Sequence, residues 1–194
     1  MFSPLSRDRK LSIYLADKSR NPLFTRMHSP DTFEDILNNG HFFLYKDSHY
    51  EARIAHEIVH YYFGTFFPPE TDFNYWLHEG MAIYAQIELY GMQSTPQWFP
   101  ETLKLVKSGD GYPLEILTTV DDLEGAKTES IHIWYAQAYS FTKYLINLKG
   151  KKSFHAFCER IKNGYSLEQS IYMTYFKTFP EIEKMWHKEL FYSK

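Results

Sequence analysis

Cysteine is almost missing from this chain: Cys158 stands alone. One thiol excludes an intramolecular disulfide, and with it the small cysteine-stapled scaffolds. It also excludes the CxxC spacings of zinc ribbons and redox motifs. No long run of one charge sign occurs. The nearest, Lys149, Lys151 and Lys152 around Gly150, reads as a helix end with cations near its free carbonyls. With a formal net charge of −3 and no basic stripe, nucleic acid is not an expected partner. No apolar run approaches the roughly 20 residues of a membrane-spanning helix. The start, MFSPLSRDRKLSIYL, puts charges where a signal peptide needs its apolar stretch, so a cytoplasmic location is expected. Internal repeats and low-complexity tracts are absent.

What is abundant is aromatic: 16 Tyr, 16 Phe and 4 Trp in 194 residues. Such side chains fill helical cores, and tyrosines also suit the wall of a peptide-binding cleft. The length fits a single domain, residues 1–194, large enough to bury a core without staples. Leu11–Ala16 (LSIYLA) and His41–Tyr45 (HFFLY) read as strands. Between them, Asp31–Leu37 reads as a short helix capped by Ser29 or Asp31, and Asn38-Asn39-Gly40 as a turn. From Tyr50 the period becomes helical, with Ala55, Ile58, Val59 and Tyr62 as an apolar stripe, up to Gly64 and Pro68-Pro69. Further helices are expected from Asn74 to Tyr90, from Pro96 to Lys107, from Ile133 to Leu148, and near 152–162, 166–175 and 180–191. The stretch 108–130 reads as a long loop. Strands first and helices afterwards predict an α+β fold, a small N-terminal β-sheet packed on a mostly helical domain. Its parts are β-rich residues 10–48, a pair of helices over 50–91, and a helical part over 96–192.

Residues 56–60 read HEIVH. On a helix, His56 and His60 lie one turn apart on one face, so both imidazoles can reach one zinc ion. Glu57 points to the side of that face, where it can reach a water on the metal. A catalytic zinc needs a third ligand and an open fourth position. WLHEGMA, residues 76–82, supplies it: the eighteen residues 61 through 78 let the chain turn and return with Glu79 facing the histidines. Zinc also relieves the cost of burying that carboxylate. His78 sits about 100° around the helix from Glu79 and is expected in the cleft wall rather than on the metal. His28, His41, His49, His155 and His187 show no metal spacing.

HEIVH followed at this distance by HEGMA resembles the gluzincin metallopeptidases of the thermolysin and aminopeptidase N type. The closest likeness is to small bacterial peptidase-MA-like domains. The tail SLEQSIYMTYFKTFPEIEKMWHKEL is similar to their closing segment, so the likeness spans about residues 10–192. It implies a zincin-like domain that hydrolyses peptides or proteins. It also implies a tyrosine that assists the transition state from a later helix. In WYAQAYSFTKYL that residue is Tyr135, with Tyr139 one turn on as the alternative; if neither acts, zinc alone or another donor such as His132 would serve. Two departures are informative. The GxMEN-type segment by which aminopeptidases hold a free amine is missing from ILNNGHFFLYKD, which favours an endopeptidase. An acid often found seven residues after the third ligand is replaced by Gln86, which can still accept a hydrogen bond from a ligand histidine.

The expected chemistry is therefore zinc on His56, His60 and Glu79, with Glu57 as general base and Tyr135 as oxyanion donor. HFFLY would pair with an extended peptide as an edge strand. The alternative is a zinc-stabilised, catalytically inactive peptide- or protein-binding module.

Overall fold

The computed structural model describes residues 12–16, 41–67, 75–120 and 123–192. Helices carry most of them. In chain order these are α1 (Tyr50–Phe66), α2 (Tyr75–Tyr90), α3 (Trp98–Ser108), α4 (Leu114–Thr119), α5 (Thr128–Lys162), α6 (Leu167–Tyr175) and α7 (Phe179–Tyr192). A short 3-10 turn, Met92–Ser94, links α2 to α3.

The α+β expectation is overturned, because the described chain is a helical fold. Its β structure is confined to one pair of five-residue segments, β1 (Ser12–Ala16) and β2 (His41–Tyr45), which run parallel with Ser12 opposite His41 and Ala16 opposite Tyr45. Two short strands form a ribbon rather than a layer, too small to bury a face of its own. The β-forming residues of LSIYLA and HFFLY are real local signals. The core, however, closes among the helices. The expected 31–37 helix, the turn at 38–40 and the prolines at 68 and 69 lie outside the described residues.

α2 lies between α1 and α5. Gln86, late in α2, meets His56, early in α1; His78, early in α2, meets Phe63 and Phe67 at the end of α1. The two helices are therefore antiparallel. On its other side α2 approaches α5 so closely that a Cβ on Gly80 would fall 2.5 Å from the carbonyl oxygen of Ala138 and against the Thr142 hydroxyl. Trp76 meets Phe141 across this contact with ring centroids 5.2 Å apart, and both are essentially inaccessible. α7 closes the core with Trp186, whose indole N–H donates to Ser140 Oγ at 3.2 Å.

Two details differ from the sequence reading. On α1 the inward face is Ala52, His60, Tyr61 and Phe63, whereas Tyr62 of the expected stripe is 41% exposed. The stripe omitted the histidines because they are polar, yet they belong to the buried face. The stretch 108–130 also contains a helix, α4, whose Leu114 and Leu117 are fully buried. Six residues are too few for periodicity to reveal. Distant side chains fix it: Glu183 of α7 accepts from the Leu114 backbone N–H at 2.8 Å, and Gln137 of α5 accepts from the Tyr112 N–H at 2.8 Å. At Gly150 the backbone turns to φ +79, a left-handed conformation that suits glycine, and α5 bends there between the two helices the sequence separates.

Candidate metal centre

Helical spacing places His56 and His60 on one face of α1, and the antiparallel return of α2 brings Glu79 opposite them. One nitrogen of each histidine and one carboxylate oxygen all lie within 4.8 Å of one another. The two Nε2 atoms are 3.1 Å apart. Glu79 Oε2 is 3.6 Å from His56 Nε2, and Oε1 is 3.6 Å from His60 Nε2. Zinc bonds of about 2.0–2.1 Å at tetrahedral angles separate neighbouring donors by roughly 3.3–3.4 Å. The observed spacings bracket that edge. Among the described residues this is the one group of three or more such side chains close enough to share an ion.

Hydrogen bonding decides how His56 presents itself. Gln86 Nε2 donates to the Ser94 carbonyl at 2.7 Å, so the other end of the amide is its oxygen. That oxygen lies 3.2 Å from His56 Nδ1, which must then carry the proton. The neutral imidazole is left with its lone pair on Nε2, aimed toward His60 and Glu79. Glu79 Oε2 is buried and, among the described residues, accepts no hydrogen bond; His56 Nε2 stands 3.6 Å from it. A 7%-exposed carboxylate in that position needs a cation. The donor set, the fixed tautomer and the unsatisfied oxygen fit a zinc ion.

The electrostatics agree. Burial pushes the Glu79 carboxyl up, but His60 and His56 outweigh it, and the net shift is downward, toward the ionised form. Burial pulls His56 down, yet Glu79, with help from Glu57 and Gln86, carries it above its usual value. Burial holds His60 below its usual value, with Glu79 only partly offsetting. An ionised carboxylate facing two imidazole nitrogens is the charge arrangement that a dication would require.

The other expected residues are distributed around this triad. Glu57 is half-buried on α1, and its charge acts on His56, His60 and Tyr135. Burial pushes the Tyr135 phenol far up, and the charges of Glu79 and Glu57 push it the same way. Its hydroxyl therefore stays protonated and stands within electrostatic reach of the triad. Tyr139 is turned elsewhere: its ring meets Phe99 edge-on, and its hydroxyl accepts from Lys143 Nζ at 3.2 Å. His132 lies flat on Trp98, with centroids 3.8 Å apart. His78 is not in the ligand group; it stacks beside His60 and packs on Phe63 and Phe67. Burial drives its pKa down to about 3, so it is a neutral wall.

Two residues near the centre were not legible as such. Gly80 sets the close approach of α2 to α5. Tyr75 stands one helical turn before Glu79 on the same face, a spacing that could have been noticed.

Compared with known proteins, the chain matches no family model, no curated protein and no solved structure. Among the described residues, no helix is long and apolar enough to cross a membrane.

Proposed function

We propose that this protein is a zinc-dependent peptidase of the gluzincin type that cleaves within peptide chains. The observation that carries the reading is the convergence of His56 Nε2, His60 Nε2 and a buried, hydrogen-bond-deficient Glu79 carboxylate from two antiparallel helices. Zinc on these three residues would supply Lewis acidity and a water whose pKa falls toward about 7. Glu57, beside the ligands but outside their group, takes the proton of the attacking water and returns it to the leaving nitrogen. Tyr135 keeps its proton at working pH and donates to the oxygen of the peptide carbonyl as that oxygen becomes an anion. His56 is held in its ligating tautomer by Gln86.

A structural zinc site has no use for Glu57, and this separates the two readings. The test is zinc stoichiometry together with cleavage of a mixed, N-acetylated peptide library. Wild type should bind one zinc per chain and cut. Glu57→Gln should keep the zinc and lose at least about a hundredfold in kcat. Full zinc with no cut in any peptide would favour the binding-module reading. Undiminished turnover in Glu57→Gln would remove Glu57 as the base.

A further inference from the structure

Tyr75 opens α2, and its hydroxyl lies 3.5 Å from that of Tyr135 on α5. Both rings rest on one indole: Tyr75 stacks on Trp134 with centroids 5.0 Å apart and 25° between planes, and Tyr135 meets Trp134 edge-on at 5.3 Å and 88°. Trp134 is itself fixed, with 2% exposure and its N–H donating to the Leu117 carbonyl at 3.3 Å. The phenol pair is therefore held from two helices by an anchored platform. A phenol has one proton to give. When Tyr135 directs its proton at a developing oxyanion, its oxygen is free to accept, and the Tyr75 hydroxyl is within range to donate to it. A hydrogen bond into a hydroxyl oxygen polarises the O–H and strengthens it as a donor.

We infer that Tyr75 is a positioning residue for Tyr135: it donates to the Tyr135 oxygen and thereby turns the Tyr135 hydroxyl toward the metal centre. The inference rests on the peptidase reading for its catalytic consequence, but the hydroxyl–hydroxyl coupling itself does not. Tyr75→Phe deletes one oxygen and keeps the ring on Trp134, so the packing survives. The first measurement uses zinc-free protein labelled with 13C at the tyrosine Cζ, with the Tyr135 signal identified by its loss in Tyr135→Phe. In Tyr75→Phe the Tyr135 signal should move, because its hydroxyl has lost its partner. A ring that merely packs would leave it in place.

The second measurement is steady-state cleavage of an internally quenched, N-acetylated peptide by the zinc-loaded protein. Tyr75→Phe should lower kcat about tenfold, the effect of one neutral hydrogen bond, with KM unchanged. Tyr75→Phe/Tyr135→Phe should be no slower than Tyr135→Phe alone, since Tyr75 acts only through Tyr135. A stationary Tyr135 signal, or losses that multiply in the double variant, overturns the inference. If wild type cuts no peptide, the peptidase reading fails by itself, and the 13C signal still decides whether Tyr75 holds Tyr135.

Discussion

Gly80→Ala should destabilise this protein, although glycine-to-alanine changes inside helices usually do the reverse. In an exposed helix interior alanine gains about 1 kcal/mol over glycine. Here the added Cβ would lie 2.5 Å from the Ala138 carbonyl oxygen and closer still to Thr142 Oγ1. The threonine can rotate; the carbonyl belongs to the backbone of α5 and cannot move without it. Relieving the contact requires α2 and α5 to part by several tenths of an ångström across an interface that includes Trp76 and Phe141. Overpacking of that kind costs about 1–3 kcal/mol, and more when backbone must move. Because backbone must move, the upper part of that range applies, about 2–3 kcal/mol; less the propensity gain of about 1 kcal/mol, a net loss of about 1–2 kcal/mol is expected, or about 2–8 °C in Tm for a chain of this size. Since Glu79 is the preceding residue, zinc affinity should fall as well. Differential scanning calorimetry and zinc titration against a chelating dye read the two effects. Adding Thr142→Ala should restore only part of the stability, because the contact with the Ala138 carbonyl remains. An unchanged or raised Tm in Gly80→Ala would refute the close approach on which the placement of Glu79 depends.

Gln86→Leu should weaken zinc binding about 10–100-fold by freeing the His56 ring, and Gln86→Glu, which can still accept from Nδ1, should restore it; equal affinities in all three proteins would show that His56 needs no orienting partner. His78 gives the zinc-free protein an acid sensitivity. Its folded pKa of about 3 lies below the ordinary value near 6.5, so the unfolded chain binds the extra proton first. The stability this represents is intact above about pH 6.5 and is lost as pH falls from there toward the folded value, by up to about 1.4 kcal/mol per unit. Urea unfolding at several pH values should show a shallower acid slope in His78→Phe than in the parent, and parallel slopes would place His78 in contact with water.

The candidate centre was more legible in the sequence than the fold around it, for a physical reason. Two ligands on one helix are tied by the helical repeat itself, so His56 and His60 could be paired from their spacing alone. Glu79 needed one further step, a helix that returns antiparallel, and the chain length between them allowed it. The α+β class failed although LSIYLA and HFFLY do pair as strands, because they report only local preference and a sheet layer needs more strands than these two segments provide. α4 escaped notice because six residues hold too little periodicity; Glu183 and Gln137, distant in sequence, tie down the segment. The apolar stripe on α1 counts apolar side chains alone and so misses the inward face, on which His60 is 5% exposed.

That last error bears on the chemistry. A helix face that buries two imidazoles opposite a carboxylate gains little from the hydrophobic effect, and each polar group loses its water. Such a face persists when something compensates. Here part of the compensation is visible: Gln86 answers His56 Nδ1, and Ser94 answers Gln86. For Glu79 Oε2 the described residues provide no hydrogen bond. Closing the arrangement with a proton alone would leave two imidazole nitrogens 3.1 Å apart competing for it. A dication would satisfy both nitrogens and the carboxylate together. The same burial that makes the triad expensive without metal lowers the dielectric around it, which strengthens the field at any carbonyl brought alongside. The residues that would use that field, Glu57 and Tyr135, come from α1 and α5, the two helices that enclose α2. Placing them therefore depends on how closely α2 can sit between its neighbours, and that distance is set at Gly80.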